Sequence, residues 1–370
     1  MIITNKYYEK FFILFLVLLN LYAYLANYNI SGVILGIKAI AVVTFIMLLI
    51  SMPLKINLSI ILSMILLLLF LLIGILFHIF NLVGLSMICF FSFGLKYSSI
   101  IRSYLYSLGI TFLIMMMLSL LNVIPNVDNS FGFGYKNTTG YFLACLALAF
   151  VYLLKNKKWL VNIVLVGSLI IVGIPFNDRT AAFSLILFLI FYNINFDFSC
   201  NKIIKYSIIL LPFLLTLVAF FLALSLNRIS WMSNIDNILS YRLSIWNNII
   251  LNNHLSLIPQ MISSNFVISS LSIGEYLFHW VKVSGLDGFF AISIYQYGVL
   301  VYTIILVCWS IMLYLLLKKP QKNKLIIYFS IIMLVLGFSE TIIIIYNLSY
   351  LMPLAMNMIA NQIEIKGDEK

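Results

Sequence analysis

Residues 58–77 read LSIILSMILLLLFLLIGILF, twenty positions without one charged side chain. An α-helix rises about 1.5 Å per residue, so about 20 apolar residues match the roughly 30 Å hydrocarbon core of a bilayer. Helix is the form such a run takes there, because its own N–H and C=O groups satisfy one another where water cannot. Similar windows lie near residues 11–27, 31–51, 79–95, 102–122, 138–154, 159–176, 180–196, 204–226, 291–317 and 325–345, and a shorter run covers 347–361. The pattern predicts an all-α, polytopic integral membrane protein of about 11–12 transmembrane helices, a single membrane domain over 1–370. The first run follows Lys6 and Lys10 as a signal sequence would, but it has no small-x-small cleavage site and is expected to stay as an anchor.

Composition agrees. The 370 residues are 64% hydrophobic and 9% charged, where soluble globular chains run about 45–50% apolar and about 25% charged. That excludes a soluble enzyme, a disordered chain and a disulfide-stapled secreted domain. The net charge of +11 does not point to nucleic acid, since the basic residues sit in short clusters between apolar runs. Cys89, Cys145, Cys200 and Cys308 lie singly in or beside separate apolar runs, the pattern of small hydrophobes rather than of a metal or disulfide site. There is no Walker loop, Rossmann fingerprint or HExxH, and no run of carboxylates, so neither a cofactor nor a metal is expected.

The positions of the charges predict the orientation. With the spans alternating, the side of the N-terminus receives Lys6, Lys10, Lys55, Lys96, Arg102, Lys155, Lys157, Lys158, Lys202, Lys205, Lys318, Lys319, Lys322 and Lys324. The other side receives only Lys136, Arg179, Arg228, Arg242 and Lys282. Under the positive-inside rule the N-terminus is cytoplasmic. The one long hydrophilic segment, 227–290 between the ninth and tenth spans, is then an extracytoplasmic loop. Three of the four arginines fall on that side, against the topological bias. Lysine suffices for orientation, whereas the planar guanidinium suits bidentate recognition of phosphate or carboxylate, which points to an anionic ligand.

Within the loop, residues 234–253 carry Ile235, Ile238, Leu239, Ile245, Trp246, Ile249 and Ile250 at helical spacing, with Ser233 and Asp236 as a capping box. Arg242 lies within that apolar stripe. Either an anion pairs with it, or its stem lies along the bilayer surface with the head among headgroups. Arg179, in Asn177-Asp178-Arg179-Thr180, either snorkels beside a helix cap with Asp178 as counter-ion or adds a cation to a helix N-terminus that already favours phosphate. His254, His279, Asp236, Glu275 and Asp287 are available as bases, and Asp287 immediately precedes the return to the membrane. Glu340 falls inside the eleventh expected span. An intramembrane carboxylate is a functional candidate, with a helix-packing contact to Asn347 or a loop arginine as the alternative.

Three segments together resemble the Wzy-like polysaccharide polymerases, relatives of the O-antigen ligases: FGFGYKNTTG from Phe131 to Gly140, NDRTAA from Asn177 to Ala182, and ILSYRL from Ile238 to Leu243. The family's Gly-rich loop ending in Asn, its Arg-Thr/Ser at a span start and its loop Arg-Leu match Asn137 and Gly140, Arg179 and Thr180, and Arg242 and Leu243. The likeness runs from about residue 128 to 345. It departs at one place: the ligases carry a loop His eleven residues before a Gly, and here Asp287 stands that far before Gly298. The resemblance implies an enzyme of the bacterial plasma membrane that joins polyprenyl-diphosphate-linked oligosaccharide repeat units into O-antigen or capsular polysaccharide on the outer face. Arg179 and Arg242, with Arg228, would hold the diphosphate; Lys136 and Asn137 would bind substrate; Asp287 or His279 would be the base. A flippase and a chain-length regulator would be its partners. The same residues leave two other readings open, an O-antigen ligase and a non-enzymatic flippase for the same lipid-linked sugar.

Overall fold

The computed structural model describes residues 6–26, 28, 31–53, 57–126, 130–133, 136–194, 201–226, 228–239, 241–260, 288–340, 345 and 348–361. Among these the structure is helical throughout: α1 Lys6–Leu25, α2 Ser31–Ser51, α3 Leu58–Leu76, α4 Phe80–Ser92, α5 Tyr97–Leu120, α6 Lys136–Leu154, α7 Lys158–Gly173, α8 Arg179–Ile194, α9 Lys202–Ile209, α10 Leu211–Ser225, α11 Met232–Ile238, α12 Arg242–Asn252, α13 Phe289–Leu316, α14 Pro320–Ser339 and α15 Leu351–Ala360. Six of them, α1, α2, α3, α5, α13 and α14, are long and apolar enough to cross a membrane within their described residues, and α9 with α10 makes a seventh if the pair is one bent span. Other expected spans fall on shorter apolar helices, among them α7 and α8 with 16 residues each.

The packing follows from which faces need cover. α2 and α3 leave large apolar side chains outside, with Leu35 70% and Ile50 78% exposed. Such a surface belongs against lipid. Inward, α1 packs on α2 and α5, α6 lies between α5 and α7, α8 joins α7 to α14, and α13 meets α10, α14 and α15. The polar contacts that fix these helices lie inside. Arg102 grips Glu9 in a bidentate pair, Nε to Oε1 at 2.7 Å and Nη2 to Oε2 at 2.8 Å. The last run, expected over 347–361, holds only the 10 residues of α15, about half the length needed to span. It is almost entirely buried, tied to the end of α4 where Asn357 Nδ2 donates to the Ser92 and Leu95 carbonyls.

Three expected helices are broken, each for a local reason. The span expected over 204–226 is α9 and α10, which meet at 70°. Pro212 begins the second helix; it has no N–H for the preceding turn and its ring crowds the carbonyl there. The amphipathic helix expected over 234–253 is α11 and α12, parted at Tyr241, which turns left-handed at φ 62. The capping box is also absent: Ser233 Oγ donates to the Ser230 carbonyl, and Asp236 instead accepts from the Ser244 amide at 3.2 Å and from its hydroxyl. The third break lies inside α13, where Gly298 takes φ 75 and ψ 157, a region open almost only to glycine. There residues 256–258 reach in, and the Val299 and Leu300 amides donate to the Ser256 and Leu257 carbonyls at 2.8 and 3.2 Å.

A Cβ at position 298 would lie 2.4 Å from the Ile258 carbonyl carbon. Gly298→Ala is therefore expected to cost about 1–3 kcal/mol for the backbone alone and to expel residues 255–260. A lower melting temperature and faster proteolysis within 255–260 check this; wild-type values for both would show that the segment is not seated on the kink.

Candidate functional site

The residues that converge on one end of the bundle, three of them charged, come from four distant parts of the chain. Asn177 turns left-handed at φ 50, which brings Asp178 to the start of α8. There Asp178 Oδ1 accepts the Ala181 amide at 3.0 Å, satisfying one of the donors that a helix start leaves open. The carboxyl is buried against α6 and fits because residue 140 is glycine: a Cβ there would lie 2.7 Å from Asp178 Cβ and 2.9 Å from Oδ2. Burial pushes the Asp178 pKa up, against the smaller opposing pulls of the Ala181 amide and the Arg242 charge.

Arg242 opens α12. Its Nη2 donates to Glu340 Oε1 at 2.7 Å, with only 14% of the arginine side chain and 19% of the glutamate exposed. The remainder of α12 holds this geometry in place. One turn on, Trp246 is fully buried and meets the Phe338 ring edge-on at 5.4 Å, two residues before Glu340. Asn247 Nδ2 donates to the Ala223 carbonyl of α10 at 2.7 Å. Asp236 holds the first turn through Ser244. Gly288, where the chain leads into α13, lies so close to Trp246 that a Cβ would meet the indole at 2.5 Å.

The structure thus brings Gly140, Asp178, Arg242 and Glu340 together. Arg179 is the first residue of α8 and exposed; Arg228 and His254 are exposed as well. Glu340 supplies Arg242 with a counter-charge from within the protein. Glu340 follows α14 as its C-cap, in extended backbone at φ −127. Asp178, expected as counter-ion to Arg179, feels the Arg242 charge. Its nearness to Arg242 was not read from the sequence, where Asp178 is a cap residue and a counter-ion for Arg179. Asp236 is engaged as a clamp on α12. Lys136 and Asn137 begin α6, but their side chains lie outside the described residues, as do Asp287, His279, Glu275 and Lys282. Among the described residues no group of three or more His, Cys, Asp or Glu is placed to hold a metal ion.

Taken together, the helices and their lengths define a multi-pass membrane protein. Compared with protein families, with curated proteins and with solved structures, the chain matches none.

Breaking a buried pair strands a charge, which costs about 3–5 kcal/mol, whereas replacing both partners by apolar residues is near neutral. Glu340→Met is expected to destabilise by about 3 kcal/mol, and adding Arg242→Met should recover most of that loss. Thermal unfolding of the four proteins in detergent measures the cycle; strictly additive single effects would mean that the pair carries no coupling.

Proposed function

We propose that this protein is a metal-independent membrane glycosyltransferase, a polymerase that extends polyprenyl-diphosphate-linked oligosaccharide repeat units into O-antigen or capsular polysaccharide on the outer face of a bacterial plasma membrane. The observation that supports the reading is the meeting of all three family-like segments: Gly140, Asp178 beside Arg179, and Arg242 gather at one end of the bundle. The lysine bias assigns that end to the outer face.

The donor arrives activated, because its anomeric carbon already bears a diphosphate. Arg179 and Arg242, aided by Arg228, bind that diphosphate and stabilise the negative charge that grows on it as the bond from the anomeric carbon to the phosphate oxygen breaks. Glu340 accepts from Arg242 Nη2 and so restrains the guanidinium before substrate enters. The acceptor hydroxyl of the next lipid-linked unit attacks from the opposite face and gives its proton to Asp287 or His279. One displacement inverts the anomeric centre and releases polyprenyl diphosphate. Lys136 and Asn137 bind glycan at the start of α6. A flippase that delivers repeat units and a regulator of chain length are the partners this reaction requires.

Arg179→Ala removes an exposed cation without touching the core, and Arg242→Lys keeps the charge opposite Glu340 while losing the fork. Both variants are expected to insert normally and to abolish long glycan, with single repeat units accumulating on the lipid carrier. Normal long chains from both would sink the proposal; repeat units held on the cytoplasmic face would indicate a flippase, and unattached full-length polymer a ligase. For the base, Asp287→Asn and His279→Ala are compared in purified protein supplied with synthetic lipid-linked repeat units. A fall of roughly a hundredfold or more identifies the base, and wild-type polymer yield from both excludes the two.

A further inference from the structure

The helices that carry the arginine cluster have a second feature at their other ends. Gly140, Asp178 and Glu340 stand at the start of α6, the start of α8 and the end of α14. The end of α6, the end of α8 and the start of α14, with the starts of α5 and α7, enclose an open cleft of about 660 Å³. That size suits a small-molecule group. Lys155, Lys158, Lys322 and Lys324 line it, and among the described lining residues there is no aspartate or glutamate.

Two further observations set the cleft apart from an ordinary lysine-rich membrane face. The helix starts that open into it, those of α5, α7 and α14, have Lys96, Lys157 and Lys319 at the N-cap, with no capping side chain and no acidic residue in the first turn. Helix N-termini carry partial positive charge and usually attract Asp, Glu or Ser. Three such ends beside one cavity, each with lysine at the N-cap position, add positive potential to that of the lining lysines. The nearby Arg102 and Glu9 neutralise each other. Aromatic rings also hold two of the ammonium groups in position: Lys155 Nζ stands 5.6 Å from the Tyr152 ring centre and Lys324 Nζ 6.0 Å from that of Tyr328. A ring face orients an ammonium group without cancelling its charge. Orientation during insertion needs only positive charge near the span ends; it does not require a concave cavity.

We propose that this cleft binds a phosphate-bearing anion, either the headgroup of an anionic phospholipid or a soluble diphosphate, with the four lysines as ligands and the three helix N-termini adding to the potential. The inference does not depend on the glycosyltransferase reading, since it concerns the opposite end of the helices and needs no sugar transfer.

The test uses the full-length protein in nanodiscs of phosphatidylcholine. Inorganic pyrophosphate is titrated in one arm, and phosphatidylglycerol replaces a rising share of the lipid in the other. Melting temperature and native mass spectrometry report binding. Wild-type protein is expected to be stabilised in at least one arm: pyrophosphate identifies a soluble ligand, and phosphatidylglycerol alone identifies a lipid. Lys155→Gln and Lys324→Gln should each weaken binding roughly fivefold, whereas Lys10→Gln and Lys202→Gln, outside the cleft, should not. Asn156→Trp fills the cleft and leaves every charge in place, so it too should lose binding. No stabilisation in either arm overturns the proposal. So does wild-type affinity in Asn156→Trp, which would reduce the effect to surface charge.

Discussion

The contact between Arg242 Nη2 and Glu340 Oε1 joins the long hydrophilic segment to the end of a membrane helix, and both side chains are largely withdrawn from solvent. At an effective dielectric constant near 20, charges about 4 Å apart attract by about 4 kcal/mol, while each ion loses several kcal/mol of hydration on burial. The pair alone does not stabilise the site; its surroundings do. Trp246 packs against Phe338, Asn247 ties α12 to α10, and Asp236 grips the first turn of α12. Asp178 places a second carboxyl within reach of the same guanidinium charge. Removing Glu340 would therefore expose α12, the α8 cap and the close contact at Gly140 to one uncompensated cation.

Backbone accounting explains the other irregularities. A broken helix in an apolar setting leaves amides and carbonyls that must find partners in protein. At Gly298 the partners are carbonyls of residues 256 and 257, so a piece of the hydrophilic segment completes a membrane helix. Position 298 has to be glycine twice over, for its dihedral angles and for the closeness of Ile258. The neighbouring side chains Leu257 and Ile258 are more than half exposed, as befits residues that meet lipid rather than water. One loop thus contributes to the structure in two ways, through Arg242 on α12 and through the backbone that follows it.

The class of fold was legible because hydropathy reports burial in lipid directly, and a run such as 58–77 has no other stable form. Lengths and breaks were less legible. Apolarity alone cannot distinguish α15, buried among helices, from a lipid-facing span, since both surroundings select the same side chains. The break at Tyr241 depends on Asp236 reaching Ser244, a contact between side chains that periodicity does not encode. An anion partner was one of two readings of Arg242, and the pairing with a loop arginine stood among the readings of Glu340. What the sequence could not supply was proximity: Gly140, Asp178 and Glu340 lie too far apart along the chain for spacing to relate them.

The four arginines can now be sorted by environment rather than by side of the membrane. Arg102, the one at the lysine-rich end, forms a bidentate pair with Glu9, and Arg242 is paired with Glu340. Each faces a carboxylate that is itself largely withdrawn from solvent, Glu9 or Glu340, and a weakly hydrated planar fork serves such a group at less cost than a strongly hydrated ammonium. Lysine occupies the open positions, where charge alone is required. Arg102 and Arg242 are thus accounted for by internal pairing. Arg179 and Arg228 are exposed at the same end of the bundle as Arg242, whose side chain is 14% exposed. On the proposed reading, a diphosphate approaching that end would meet these two first and would reach Arg242 as a group already held in position by Glu340.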